Sequence, residues 1–229
     1  MSATALVVTH IETEGPGHLA TWLPAEGLAL DVVSPWRGEA LPSSLDGYAA
    51  LVVMGGPHQA YDDSLPWGPQ TLALLRSAVA GSLPTLGVCL GAQLLAVACG
   101  GRVEPGAAGP ERGAGLVAKR DLAGADPLFW DLPLSPPVVQ WHDDAVVDLP
   151  PGATLLMSGS RYPHQAFRVG SAAWGLQFHV ECDAEMVGTW VAADSVDASV
   201  LARTERELED VAEVWGEVLR RFARLAVAP

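Results

Sequence analysis

A chain of 229 residues, 49% of them hydrophobic, is long enough to bury a large core as one α/β domain. Its formal net charge of −14 opposes binding to phosphate backbones and anionic membranes, which both need a positive footprint. No basic leader with a cleavage site and no apolar span of bilayer length is readable, so we expect a soluble, cytoplasmic protein that binds neither nucleic acid nor membrane.

The first predicted strand is Ala3 to Thr9, a β-branched run, followed by a Gly/Pro turn and a helix near His18 to Glu26. A second strand near Leu28 to Val33 is expected beside it. The stretch from Ala49 to Met54 is continuously apolar, as a strand buried on both faces of a parallel sheet must be, and it ends abruptly in Gly55-Gly56-Pro57. A helix follows, from Pro69 to Ala80, then a strand from Pro84 to Val88 that feeds Cys89, and a helix from Ala92 to Cys99. This alternation predicts a doubly wound α/β sheet.

After Gly100-Gly101 the pattern changes. Short strand candidates at Leu116 to Lys119, Pro137 to Gln140, Ala153 to Met157, Gln165 to Val169 and Ala173 to Phe178 suggest an antiparallel addition to the same domain. Near the C-terminus Leu208, Val211, Ala212, Trp215, Val218, Leu219, Phe222 and Leu225 recur at helical spacing, which predicts an amphipathic helix on the sheet. No internal repeat, low-complexity tract or linker divides the chain, so residues 1–229 are expected to be one domain.

The segment Gly87-Val88-Cys89-Leu90-Gly91-Ala92-Gln93 reads as a reactive cysteine on a strand-to-helix turn. Such a turn lifts a thiol off the sheet edge and sets it at a helix N-terminus, where free N–H groups and the dipole favour a thiolate. Flanking small residues permit the strained backbone. Further on, in Gln177-Phe178-His179-Val180-Glu181, an extended segment would point His179 and Glu181 the same way, as a base and its orienter. A thiolate attacking an amide needs such a pair, and two N–H donors for the oxyanion. Leu90 N–H and an N–H of Gly55-Gly56 are the candidates, and all these segments lie at carboxyl ends of strands, where open α/β sheets carry their sites.

Of three cysteines, Cys99 and Cys182 are read as structural; an odd count in no staple or zinc spacing argues against a disulfide framework. His142 invites a metal-site reading, but no ligand cluster of suitable spacing accompanies it, and no metal or cofactor is expected.

Together, Gly55-Gly56-Pro57, Gly87 to Gln93 and Gln177 to Glu181 resemble the class-I (triad) glutamine amidotransferases over nearly the whole chain. The resemblance implies a flavodoxin-like, mostly parallel sheet in which Cys89 forms a γ-glutamyl thioester, His179 is general base and acid, and Glu181 orients His179. It implies also that Gly56 and Leu90 form the oxyanion hole. Gly55, Gln93 and the backbone around Trp141, His142, Asp143 and Asp144 would hold the glutamine amino-acid end. Glu111 and Arg112 match a segment of stand-alone members, where a solvated loop pair and a substrate contact are equally open. Val180 stands where many members have proline, which leaves the triad register intact. With no ATP-binding domain after the amidotransferase module, the resemblance implies ammonia delivery to a separate ATP-dependent synthetase. Cleavage of a γ-glutamyl peptide or polyamine by the same triad is the enzymatic alternative; a binding or regulatory module with an idle triad is the non-enzymatic one.

Overall fold

Strands β1 (Ala3–Val8), β2 (Leu28–Val33), β3 (Ala50–Val53) and β4 (Thr85–Val88) lie parallel in the order β2-β1-β3-β4, in a computed structural model that describes residues 3–228. Every residue of β3 and of β4 is buried, which explains their unbroken apolar or small composition. Alternate residues of β1 and β3 enter opposite faces. Ala5, Val7, Ala50 and Val52 join one hydrophobic cluster, while Leu6, Val8, Leu51 and Val53 join another.

Each cluster is closed by helices. Helices α2 (Gly68–Ala80) and α3 (Leu90–Ala98) cover the second face, bringing Leu74, Leu75, Leu94 and Leu95. Helix α1 (Leu19–Ala25) and the C-terminal helix cover the first. Among the described residues no helix is long and apolar enough to cross a membrane.

The antiparallel half begins after α3. Strands β5 (Arg102–Pro105), β6 (Glu111–Leu116), β7 (Ala118–Lys119), β8 (Pro137–His142), β9 (Asp144–Asp148), β10 (Thr154–Ser158), β11 (Ala166–Val169) and β12 (Ala173–Leu176) follow. The main sheet runs β2-β1-β3-β4-β12-β11-β10-β7, with β12 parallel to β4 and the outer strands antiparallel. Two ribbons, β5-β9 and β6-β8, stand apart from it. The chain closes with α4 (Ala184–Ala193), α5 (Ala198–Glu205) and α6 (Leu208–Val227). This is the expected α/β fold with a mostly parallel sheet and an antiparallel addition.

Three details differ from the sequence reading. The segment from Leu116 to Lys119 is not one strand, because β6 ends at Leu116 and β7 starts at Ala118. Helix α3 starts at Leu90, two residues earlier than expected, so Cys89 itself is the residue before the helix. β12 stops at Leu176, and His179 to Glu181 is a bent segment, not a strand; only His179 is extended, bridged to Val139.

Candidate active site

Cys89 sits between β4 and α3 with φ 49° and ψ −106°, a conformation that a side chain rarely adopts. The turn is tight enough to explain its glycines. A Cβ at Gly91 would run into the carbonyl of Val53, and one at Gly87 into the backbone of Gly91. The Cys89 N–H is already given to Leu176 O at 2.7 Å, whereas Leu90, first in the helix, has no intrahelical acceptor for its own N–H. The thiol is nearly buried and points to Trp141 O at 3.7 Å, while Gln177 Nε2 donates to Sγ at 3.9 Å.

His179 and Glu181 are buried beside it. His179 Nδ1 lies 2.7 Å from Glu181 Oε1, and Glu181 Oε2 accepts from Val180 N at 2.9 Å, so the carboxylate is fixed through both oxygens. With Nδ1 engaged, Nε2 is the nitrogen left to exchange a proton with Cys89. Burial disfavours the His179 cation, but Glu181 and Cys89 outweigh it and lift its pKa well above the ordinary value. Burial pushes the Cys89 thiol up, and His179 pulls it the other way. The bent segment does by turning what a strand would have done by alternation.

A cavity of about 190 Å³ opens onto Cys89. Gly56, Gln93, Trp141, His142 and Asp143, all predicted site residues, line it. Gln93 Nε2 donates to Asp144 O at 3.1 Å and to Gln177 Oε1 at 3.2 Å. His142 presents its wall but not its nitrogens: Nδ1 faces Asp144 O at 2.9 Å and Nε2 faces Glu111 Oε2 at 3.1 Å. Glu111 and Arg112 lie on β6, opposite His142 and Trp141 of β8. Arg112 lines the cavity, grips Asp143 through both carboxylate oxygens at 2.8 and 2.9 Å, and reaches Asp194 at 3.1 Å. Cys99 and Cys182 are free thiols, half-buried and buried.

Sequence reasoning missed several residues. His10, after β1, is buried beneath the Gly55-Gly56 turn, its Nδ1 3.1 Å from Met54 O and 3.2 Å from Gly55 O. Two carbonyls on one nitrogen require Nδ1 to be the donor. Burial lowers its pKa to about 4, so the ring is neutral. A Cβ at Gly56 would stand 2.7 Å from His10 Cβ and 3.2 Å from Leu90 Cδ2, so the turn is clasped from both sides. Trp190 of α4 packs its ring 4.7 Å from that of His179, and Asp194 caps the same helix. Glu14 also lines the cavity. None carried a local signal, since each lies in a loop or in a helix that no strong periodicity announces.

Comparison with known proteins gives the same direction throughout. A family model described as glutamine amidotransferase class-I matches residues 26–197. The glutamine-hydrolysing GMP synthase of Porphyromonas gingivalis is 30% identical over 186 residues, covering 74% of this chain and 35% of that protein. This chain therefore spans about a third of that relative's length. The glutamine amidotransferase-like protein YfeJ of Salmonella typhimurium is 28% identical over 186 residues, covering 79% of this chain and 76% of that one. Among solved structures, a glutamine amidotransferase from Thermotoga maritima superposes with a TM-score of 0.87 at 29% identity, over 97% of this chain and 99% of that chain. One from Methylobacillus flagellatus gives 0.84 at 29% identity, over 100% and 96%.

Proposed function

The chain belongs to the class-I glutamine amidotransferase family, and we propose that it hydrolyses the γ-amide of glutamine through a thioester on Cys89. The observation that carries this reading is a buried thiol on a strained turn, electrostatically coupled to an imidazole whose Nδ1 is held 2.7 Å from a buried carboxylate. In this mechanism His179 takes the thiol proton and Sγ attacks the amide carbon. The oxyanion is met by the Leu90 and Gly56 N–H groups. His179 then returns the proton to the nitrogen, the C–N bond breaks, and ammonia leaves. Water, deprotonated by His179, attacks the thioester; glutamate departs and the thiol is restored. Glu181 keeps Nδ1–H bound and stabilises the imidazolium throughout.

His10 supports the oxyanion hole by tying the carbonyls of Met54 and Gly55, which sets the peptide that carries the Gly56 N–H. Gly55, Gln93 and the backbone of Trp141, His142 and Asp143 take the amino-acid end of the substrate. The protein acts in the cytoplasm, without metal or cofactor, and its ammonia serves an ATP-dependent synthetase, a reading that the similarity to GMP synthases supports.

The test is glutamate release from glutamine by the purified chain, beside labelling with a glutamine-analogue electrophile such as a γ-diazoketone. Labelling at Cys89 that is absent in Cys89→Ala, with turnover lost in His179→Ala, is the expected result. Equal labelling of wild type and Cys89→Ala sinks the nucleophile assignment and leaves the fold as a binding module.

A further inference from the structure

The departing half of the substrate must lie beside His179, since that imidazole protonates the leaving nitrogen. Glu14 stands there. A Cβ at Gly55 would collide with the Glu14 carboxylate and lie 3.1 Å from His179 Cε1, so carboxylate and imidazole flank one point beside the oxyanion turn. Gln93 and the β8 residues, which receive the amino-acid end in the proposed mechanism, are separate elements of the cavity wall.

Glu14 makes no hydrogen bond and no ion pair among the described residues, although it lines the cavity. Its position is nevertheless built. The loop that carries it is bound to the triad segment by His18 N–H donating to Glu181 O at 2.8 Å, and a Cβ at Gly17 would strike that same carbonyl. Trp190 Nε1 donates to Thr13 O at 3.3 Å. A carboxylate held in place on the cavity wall with no hydrogen bond of its own is free to accept one from a charged donor in the cavity.

Charge around the cavity agrees. Glu14, Asp143, Asp144 and Asp194 line it against the single guanidinium of Arg112. That guanidinium is already engaged by Asp143 and Asp194, and of the charged groups that act on Glu14 only His179 favours its ionised form. Burial raises the Glu14 pKa to about 7, with Glu181 and Asp194 adding to the rise and His179 opposing it. A bound cation relieves this strain, and a bound anion aggravates it.

We propose that Glu14 is the specificity-determining residue for a substituted leaving amine: it receives a positively charged leaving group, so that among γ-glutamyl amides other than glutamine those of diamines are favoured over γ-glutamyl peptides, whose leaving group ends in a carboxylate. The inference rests on the Cys89 thioester reading and deepens it. The covalent steps are those given above, with the diamine in place of ammonia: the amide C–N bond breaks, His179 protonates the amine nitrogen, and the distal ammonium stays paired with Glu14.

The experiment compares kcat/KM for γ-glutamylputrescine, the neutral γ-glutamyl-n-butylamide and γ-glutamylglycine in wild type, Glu14→Gln and Glu14→Lys, each checked for folding by circular dichroism. In wild type the diamine amide is expected to exceed the butylamide by about tenfold or more, the scale of one partly desolvated charge-assisted hydrogen bond. Glu14→Gln brings the two within a few fold, and Glu14→Lys favours the glycine amide. Ratios that are the same in wild type and Glu14→Gln overturn the inference, including the case in which all three substrates fall together, which would put Glu14 at the shared γ-glutamyl end. Cys89 labelling in the same preparations separates this failure from failure of the hydrolase reading: with labelling intact only the role of Glu14 falls, and with neither labelling nor turnover both do.

Discussion

Cys89 stores strain in the turn that directs its sulfur toward the cavity. With φ 49° and ψ −106° it occupies a region that glycine enters freely, at a cost of about 1–3 kcal/mol for a side chain. Replacing it separates strain from chemistry. Cys89→Ala keeps the Cβ and its strain, whereas Cys89→Gly sheds both at an entropic cost of about 0.5–1 kcal/mol. Urea unfolding should therefore find Cys89→Gly more stable than Cys89→Ala by about 1 kcal/mol, with both inactive. The reverse order would mean that the turn is relaxed and that reactivity owes nothing to it. Glu14 makes a second stored cost, one that pH reveals. Its folded pKa of about 7 lies above the ordinary 4.5, so the fold prefers the protonated acid. Below pH 4.5 both states are neutral and nothing is lost. Between 4.5 and 7 the unfolded chain ionises first, stability falls with rising pH, and above 7 the loss is complete, about 1–3 kcal/mol once solvent screening at this partly exposed site trims it. Glu14→Gln stays neutral, so its stability gain over wild type should be absent at pH 4.5, grow to pH 7 and then level off. A gain independent of pH would contradict a raised Glu14.

The elements differ in how openly the sequence announces them. β3 and β4 are legible because a strand buried on both faces is apolar or small at every position, and the Gly-x-Cys-x-Gly turn is legible because two backbone approaches forbid a Cβ at Gly87 and Gly91. Glu111-Arg112-Gly113-Ala114-Gly115 gives no such signal. Its strand character comes from pairing with β8, which sets Glu111 opposite His142 and Arg112 opposite Trp141, and local sequence does not contain that partner. The same holds for β5 and β9, which pair only with each other and alternate weakly because their outer residues face solvent. Helices α4 and α5 go unread because small residues and a glycine dilute the apolar period of one, and the other is only 8 residues long with a single buried residue. Their omission hid Trp190 and Asp194. The run Gln177 to Glu181 is the instructive case: residue types and spacing point to a base and its orienter, yet the strand geometry inferred for them is wrong. His179 is held by a bridge to Val139, and Glu181 turns back to take the Val180 N–H.

At the scale of the molecule, both ends of the chain bear on the segment that carries His179. The α1 side contributes His18 N–H to Glu181 O, and the C-terminal helix contributes Trp215. Trp215 is fully buried, donates Nε1–H to Pro137 O at 2.8 Å, and sets its ring 4.9 Å from Phe178 and 5.8 Å from Phe129. Phe178 is the residue between Gln177 and His179, so α6 supports the site from the far side of the core. Residues of α1, β1, β3, β12 and α6 share that one hydrophobic cluster. From this we expect residues 1–229 to unfold as one domain, in a single transition seen alike by tryptophan fluorescence and by circular dichroism. Trp215→Ala should lower stability by about 3–5 kcal/mol and reduce glutamate release under folding conditions, because a cavity opens beneath Phe178. Trp215→Phe keeps most of the apolar volume and loses the hydrogen bond to Pro137 O, so about 1–2 kcal/mol is expected. If Trp215→Ala cost under 1 kcal/mol and left the proposed glutamate release unchanged, α6 would be an appendage, and the core would close without it.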